Sequence, residues 1–404
     1  MADARPANPA RARMSRPRRL LLALMLVAIG LPLPLTLAVA LAPAAIRAAL
    51  RSPGLAGFVA SPPPFSSSLA AWWHGDFQRA VDSWFARGLE PRGWGVRATN
   101  QLYYTLFGRS YMYHNTIIVG RAGYLYELAY LRAYCEPAPS EADLAALVAE
   151  IRELRDGLAR KHDQLLVLIS PSKAVTMPEF LPVGLCDPPQ APERLGQMFG
   201  ELLRRAGVPV IDGAALTRAM KTQDPLPPFP RGGTHWSRLV GSRVAVQVMA
   251  EIDRLAGTDL GALTLGETVW DARPAGTDRD LAGLLNLLFP PYGYPTGEAA
   301  LQCRPTPAGR GANFIGLGGS FLQQVMEPIG SCGLFARVEQ FAYYTNFREH
   351  YPDEVFEPVD RKALDWAATF RQPTVLLLEV NERRIAPRIE WLERFLEDTR
   401  AALQ

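Results

Sequence analysis

Side chains that bind metals or carry redox chemistry are scarce in this chain of 404 residues, which has five histidines and four cysteines. The cysteines, at positions 135, 186, 303 and 332, do not follow the spacing of a zinc site. The sequence therefore predicts no metal and no cofactor. An excess of one charge sign is also lacking, because 43 basic residues face 40 acidic ones.

The small basic excess is confined to the N-terminus. The first 19 residues contain six arginines and a single acidic residue, Asp3. The rest of the chain is close to neutral, so we expect no nucleic acid as a partner.

Charge is absent from Leu20 to Ile46. This run exceeds the roughly 20 residues that cross a bilayer as a helix, and the arginines before it favour a cytoplasmic N-terminus. Pro32 and Pro34 would kink such a helix, which bilayers tolerate. The alternative is a cleaved signal peptide with a site such as Ala38-Val39-Ala40.

The anchored alternative predicts a single-pass protein of the bacterial inner membrane. Residues 47–65 resemble a stalk, because Pro62-Pro63-Pro64 is extended and semi-rigid. The predicted segments are a cytoplasmic basic tail at 1–19, a transmembrane helix at 20–46, the stalk at 47–65 and a periplasmic domain at 66–404.

The domain alternates short apolar runs with amphipathic ones. We predict strands at 165–169, 208–211, 313–317 and 374–380, and helices at about 140–161, 192–206, 213–221, 235–255 and 386–402. All-apolar strands separated by helices indicate an α/β fold with a parallel sheet covered on both faces, an α/β/α sandwich.

The beginning of the domain is crowded with aromatic residues. Such residues belong more often to a core or interface than to a surface that stacks on sugars, and we expect a core here. They are Trp72, Trp73, Trp94, Tyr103, Tyr104, Tyr111 and Tyr113.

Four cysteines in an exported domain allow three pairings. We favour Cys303–Cys332, because these two residues bracket the strand that leads to Ser320. Free buried thiols are the alternative.

Ser320 follows an apolar strand and the turn Gly318-Gly319. In a parallel sheet, functional groups gather at the carboxyl ends of the strands. A helix that begins at this serine would point its first N–H groups at an oxyanion. The alternative is an ordinary glycine turn with a helix-capping serine.

His235 precedes a predicted helix, with Thr234 as a possible N-cap. The positive end of a helix disfavours imidazolium, so we expect a neutral ring that can accept a proton from a serine hydroxyl. The other four histidines have no comparable setting.

Several short motifs follow one another in the order of a known family. They are Gly120-Arg121-Ala122-Gly123, Ser170-Pro171-Ser172-Lys173 with Pro178-Glu179-Phe180-Leu181-Pro182, Thr234-His235-Trp236, Asp280-Leu281, Gly319-Ser320-Phe321 and Glu379 to Arg383. Together, over about residues 65–400, they resemble the SGNH-hydrolase-like family of alginate O-acetyltransferases.

The resemblance implies a fold of SGNH-hydrolase type and a triad of Asp, His and Ser. Ser320 would be the nucleophile and His235 its base. The family places its aspartate two residues before the histidine, where this chain has Gly233. Three possibilities follow: a carboxylate from elsewhere, which the sequence does not identify, replaces it; a Ser–His dyad works slowly; or the domain is not catalytic.

Two functions remain open at this point. The first is a membrane-anchored O-acetyltransferase that acts on an exopolysaccharide through a serine acyl-enzyme, with a membrane-bound O-acyltransferase as the partner that the resemblance implies. The second is a degenerate relative that binds polysaccharide or assembles a secretion complex.

Overall fold

The computed structural model describes residues 15–51, 54–57, 65–111, 116–186 and 191–404. Residues 1–14 of the predicted basic tail, the Pro62-Pro63-Pro64 run of the predicted stalk, and Tyr113 lie outside the described residues.

Helices and strands alternate through most of the described chain. The helices are Arg16–Gly30 (α1), Pro32–Leu41 (α2), Ala44–Leu50 (α3), Leu69–Trp73 (α4), Asp76–Gly88 (α5), Arg92–Phe107 (α6), Leu128–Cys135 (α7), Glu141–Arg160 (α8), Lys173–Thr176 (α9), Arg194–Arg205 (α10), Gly213–Gln223 (α11), Arg238–Ala256 (α12), Asp280–Leu284 (α13), Pro307–Arg310 (α14), Gln323–Ser331 (α15), Trp366–Thr369 (α16) and Glu390–Leu403 (α17). The strands are Ile117–Val119 (β1), Leu125–Glu127 (β2), Gln164–Ser170 (β3), Val210–Asp212 (β4), Gly261–Ala272 (β5), Thr296–Pro305 (β6), Asn313–Gly318 (β7), Arg337–Ala342 (β8), Phe347–Tyr351 (β9), Val355–Pro358 (β10) and Thr374–Asn381 (β11).

The chain divides into two compact units. One contains residues 1–102 with 286–288, and the other contains residues 103–285 with 289–404.

The first unit contains the uncharged N-terminal run. In the part of the chain that the structure describes, no single helix is both long and apolar enough to cross a membrane. Arg16–Val27 and Pro32–Leu41 meet that requirement only as a pair, which is bent by 40°.

The aromatic residues at the start of the predicted domain are not a core. Trp73 is 86% exposed and Trp72 is 57% exposed. Trp94, Tyr103 and Tyr111 are exposed as well. The prediction of a core is therefore wrong for these five residues.

The second unit contains a seven-stranded sheet of order β10-β9-β8-β7-β11-β3-β4. The strands from β8 to β4 run parallel, with Leu377 of β11 paired to Leu166 of β3 and Gly316 of β7. Strands β9 and β10 are antiparallel. The sheet is therefore mixed, and the expectation of a purely parallel sheet is wrong at this edge.

Helices cover both faces of the sheet, as the α/β/α prediction requires. Leu166 and Leu168 of β3 face a cluster that contains Val244 and Val248 of α12. Val167, the residue between them, faces the opposite cluster with α8, α10 and α17. Because successive side chains of a strand alternate between faces, each all-apolar strand contributes to both cores.

The four predicted strands and the major helices are present within a few residues of their expected bounds. The sequence analysis missed β5 and β6, an antiparallel pair in which Leu263 lies opposite Cys303. The segment 273–295 between these strands contains Asp280.

Two disulfides connect elements of the second unit. Cys303 of β6 is bonded to Cys332 at the end of α15, which confirms the favoured pairing. Cys135 of α7 is bonded to Cys186. Free thiols are absent from the described residues.

Candidate active site

Ser320 lies at the carboxyl end of β7, near the middle of the sheet. Gly318 and Gly319 allow the chain to turn here. A Cβ atom on Gly318 would come within 2.7 Å of the Glu379 side chain, and one on Gly319 would lie 3.1 Å from the Tyr343 hydroxyl. Ser320 begins a short 3-10 turn, and α15 starts three residues later.

His235 lies beside Ser320. Its Nε2 atom is 2.8 Å from Ser320 Oγ. The ring is buried and makes an edge contact with Phe321, with a centroid separation of 4.8 Å. Helix α12 is capped by Ser237, whose hydroxyl accepts from the Val240 N–H. The expected cap, Thr234, is therefore wrong, and the histidine precedes the helix by three residues.

Asp280 occupies the other side of the histidine ring. Its Oδ2 atom is 2.6 Å from His235 Nδ1. Its Oδ1 atom accepts from the backbone N–H of Thr234 at 2.8 Å and of Leu281 at 2.6 Å. These backbone bonds fix the carboxylate against the loop that carries the histidine.

The hydrogen bonds define the tautomer of His235. Because a carboxylate can only accept a hydrogen bond, Nδ1 of the neutral ring carries the proton and donates a hydrogen bond to Asp280. The Nε2 lone pair then faces the Ser320 hydroxyl. This is the geometry in which a histidine can take a proton from a serine while a carboxylate orients the ring and stabilises the imidazolium.

Gly233 has no room for the aspartate that the family pattern places there. A Cβ atom would come within 2.7 Å of the Thr277 carbonyl oxygen, 2.9 Å of Pro230 Cγ and 3.1 Å of the Asp278 carbonyl oxygen. The backbone that leads to Asp280 thus fills the space beside Gly233. The absence of a side chain at Gly233 and the presence of Asp280 beside His235 therefore result from the same path of the backbone.

Tyr343 approaches Ser320 from the turn between β8 and β9. Its hydroxyl lies beside residues 318–320, which we call the serine turn, 3.1 Å from the position that a Cβ atom on Gly319 would take. Burial raises the pKa of Tyr343, and Glu379 adds to this effect, so the phenol keeps its proton. Tyr343 and Tyr344 both have left-handed backbone angles, with φ of 48° and 55°. Such strain in non-glycine residues is typical of functional sites.

Glu379 supports the serine turn by accepting a hydrogen bond from the backbone of that turn. Its Oε2 atom accepts from the Gly319 N–H at 2.6 Å, and Oε1 forms a short hydrogen bond with the Ser170 hydroxyl. Complete burial raises the pKa of Glu379, while these two bonds and His235 act in the opposite direction. The Gly319 N–H is therefore already used within the protein.

Lys173 supports residues 230–235, which we call the histidine loop. Its Nζ atom donates to the carbonyl oxygens of Pro230, Arg231 and Gly233. Burial lowers the pKa of Lys173 to about 7, and the nearby carboxylate of Asp280 opposes that shift.

A cleft of about 360 Å³ opens beside the serine turn. Its lining includes Gly319, Phe321 and Tyr343. Tyr130, Arg384, Arg388 and Trp391 line it as well. Within the described part of the chain, no group of three His, Cys, Asp or Glu side chains could hold a metal ion.

The structure thus brings together the two residues predicted from sequence, Ser320 and His235, and adds Asp280 to them. The sequence analysis quoted Asp280 only as part of an Asp-Leu segment similar to one in the family. Its position 45 residues after the histidine gave no sign of their contact. Glu379 was likewise quoted only as the start of the Glu379 to Arg383 motif, and Tyr343 was missed, since it has no distinctive spacing from Ser320.

Comparison with known proteins gives a consistent family. Residues 117–300 match the model described as the SGNH hydrolase-like domain of the acetyltransferase AlgX. The resemblance to the alginate O-acetyltransferase family is confirmed. A curated relative, the probable alginate O-acetylase AlgJ of Pseudomonas aeruginosa, is 28% identical over 201 residues. That alignment covers 49% of this chain, and the chain spans about half the length of the relative.

Two solved structures are similar to part of the chain. The O-acetyltransferase domain of Pseudomonas putida AlgJ matches with 18% identity and a TM-score of 0.42, over 66% of this chain and 91% of that domain. AlgX of Pseudomonas aeruginosa matches with 14% identity and a TM-score of 0.41, over 69% of this chain and 67% of that protein.

Proposed function

We propose that this chain is an O-acetyltransferase that acetylates an exopolysaccharide through an acetyl ester on Ser320. The hydrogen-bonded series Ser320, His235 and Asp280 is the observation that carries the proposal. A nucleophile, a base and an acid within 2.8 Å and 2.6 Å of one another are the parts that acyl transfer requires.

The first half-reaction loads the serine. Ser320 Oγ attacks the carbonyl carbon of an acetyl donor while its proton passes to His235 Nε2. The tetrahedral intermediate collapses, the bond to the leaving group breaks, and the leaving group takes the proton from His235. The product is an acetyl ester on Ser320 and a neutral histidine.

The second half-reaction transfers the acetyl group from Ser320 to a sugar. A sugar hydroxyl in the cleft attacks the ester carbonyl while His235 takes its proton. The bond to Ser320 Oγ then breaks, and the serine recovers that proton from His235. Asp280 stabilises the imidazolium in both steps without itself becoming protonated.

We infer that Tyr343 stabilises the oxyanion of both intermediates. Its hydroxyl is a donor that keeps its proton, and it lies beside the serine turn. The Gly319 N–H is not available, because Glu379 accepts from it. Donors of this kind typically contribute 10²–10³ in rate each.

We further propose that the uncharged run from Leu20 to Ile46 anchors the chain in the inner membrane, with residues 66–404 in the periplasm. The arginines before the run and the two disulfides of the second unit support this orientation. The resemblance to the family implies a partner, a membrane-bound O-acyltransferase, that exports the acetyl group and supplies it to Ser320.

The alternative of a non-catalytic, polysaccharide-binding relative was motivated by the glycine at position 233. A carboxylate at 2.6 Å from His235 favours the enzyme instead.

The purified chain, incubated with a soluble acetyl ester and an exopolysaccharide oligomer, tests the proposal. We expect acetyl-ester turnover, a Ser320-bearing peptide heavier by one acetyl group, and acetylated oligomer. Ser320→Ala should abolish all three. Ser331→Ala, at an exposed serine at the end of α15, is the matched control. Unchanged turnover in Ser320→Ala would disprove the serine mechanism.

A further inference from the structure

Lys173 is a buried lysine with no part in the proposed chemistry. It begins α9, just after the carboxyl end of β3, and its side chain is almost fully buried. Its Nζ atom lies 2.8 Å from the Pro230 carbonyl oxygen, 3.2 Å from that of Arg231 and 2.6 Å from that of Gly233. Burial of an ammonium group is costly, so such a residue calls for a specific reason.

The surroundings of Lys173 match an ammonium group. Three carbonyl oxygens meet its three N–H donors one for one. The rings of Tyr124 and Tyr126 each lie 5.3 Å from Nζ, within the range of cation–π attraction. The Asp280 carboxylate adds a favourable charge interaction.

The three carbonyls belong to one short loop that leads directly to His235. Carbonyl oxygens that converge on one point repel each other unless a cation lies between them. Gly233 is two residues before the histidine, and the next residue, Thr234, donates its N–H to Asp280. The loop is therefore held by Lys173 on one side and by the acid on the other.

We propose that Lys173 is a positioning residue for the acyl-transfer site: its ammonium group gathers the Pro230–Gly233 carbonyls and so fixes His235 between Ser320 and Asp280. This inference rests on the proposed function. The lysine touches neither substrate nor reacting atoms in this scheme, and it acts through the backbone alone.

Lys173→Met tests this role, because methionine has a similar length but no charge and no donors. The full chain is treated with a sulfonyl fluoride that labels nucleophilic serines, and with a soluble acetyl ester. The thermal midpoint of each variant is measured first. The labelling rate of Ser320, kcat and KM are then measured at a temperature well below that midpoint. Lys221→Met is the matched control. Lys221 donates to the Thr176 carbonyl of the same helix α9 at 2.6 Å and pairs with Glu179, so both of these partners lie outside residues 230–235.

We expect Lys173→Met to lower both the labelling rate and kcat by about 10²-fold, the effect of a displacement of roughly 1 Å in a catalytic group. KM should stay within about twofold, because the cleft is unchanged. Lys221→Met should keep the wild-type labelling rate and kcat. A purely structural lysine would lower the midpoint and leave kcat of the folded protein unchanged, and that result would overturn the inference.

Lys173→Arg provides a second variant in case the methionine variant does not fold. It keeps the charge but replaces the compact ammonium group with a planar fork, so we expect an intermediate loss of kcat. If neither variant folds, the lysine serves folding rather than positioning, and the inference is wrong. If wild-type Ser320 is not labelled at all, the failure belongs to the proposed function instead.

Discussion

At the scale of single residues, Asp280 is the acid that contacts the histidine of this site. It hydrogen-bonds to His235 from a short helix that lies far along the chain, and it also accepts two backbone N–H groups. Each of these bonds stabilises the charged carboxylate. An acid held in this way can orient the ring and balance the charge that the ring acquires.

Asp280→Asn is expected to fold normally and to lower kcat for acetyl-ester turnover by about 10⁴, because an amide stabilises the wrong tautomer of the histidine. The measurement compares kcat of this variant with that of Asp271→Asn, an exposed residue on β5. Equal activity of the two variants would remove Asp280 from the mechanism.

Gly233 can be tested at the same scale. Gly233→Ala and Gly233→Asp are expected to lower the free energy of unfolding by about 1–3 kcal/mol, the usual cost of overpacking, because the new Cβ atom meets the Thr277 and Pro230 atoms described above. Gly233→Asp should not raise activity. The control is Gly266→Ala in β5, where a Cβ atom finds its nearest neighbour at 3.5 Å. Chemical denaturation that ranks Gly233→Ala and Gly266→Ala as equally stable would contradict the steric argument.

Four neighbouring strands of the sheet, β7, β11, β3 and β4, were the most predictable part of the molecule, whereas β8, β9 and β10 were not predicted. Strands such as β3 and β11 are buried on both faces, so nearly every residue is apolar and the pattern is unmistakable. The capping pair Ser140 and Asp143 likewise fixed the start of α8, where each residue hydrogen-bonds to the backbone N–H of the other.

Other elements were not predictable for physical reasons. Strands β5 and β6 pair with each other in a separate two-stranded sheet, and many of their residues are exposed, so they lack an apolar run. The contact between His235 and Asp280 depends on how the segment after β5 folds back. Turn strain at Tyr343 leaves no sign in the sequence, because no glycine marks it.

Asp163 provides a prediction at the scale of elements, because it joins the end of α8 to the start of two strands. It precedes β3, and its Oδ1 atom accepts from the Thr374 N–H at the start of β11. Burial raises the pKa of Asp163 to about 7. The folded state therefore holds a proton that the unfolded chain has already released, and stability is lost as the pH rises from about 4 to about 7.

Asp163→Asn should accept the same N–H bond without any charge to bury. We expect it to raise the free energy of unfolding more at about pH 8 than at about pH 5, by at least about 1 kcal/mol. Urea denaturation at the two pH values checks this, with Asp353→Asn at an exposed position as the control. A gain that does not depend on pH would contradict the assignment.

At the scale of the whole molecule, two disulfides cross-link segments of the second unit that lie far apart in the sequence. Cys135–Cys186 spans 51 residues of sequence, and Cys303–Cys332 spans 29. A cross-link restricts the unfolded chain more when it closes a longer loop. The first bridge also joins α7 to the segment that follows Phe180, close to Lys173.

Replacing both Cys135 and Cys186 with alanine is expected to lower the free energy of unfolding by about 2–5 kcal/mol, and somewhat more than the same change at Cys303 and Cys332. Thermal unfolding with and without a reducing agent gives the comparison. If reduction leaves the wild-type midpoint where it was, the bridges do not stabilise the fold.

The segment that fills the space beside Gly233 also restricts how such a site can change over generations. The family pattern has its acid two residues before the histidine, whereas here the backbone of residues 277 and 278 occupies that volume. An acid two residues before the histidine would need this backbone to withdraw and an aspartate to appear at the same time. No single substitution makes both changes, so the site is expected to keep its distant acid even though its histidine motif looks incomplete.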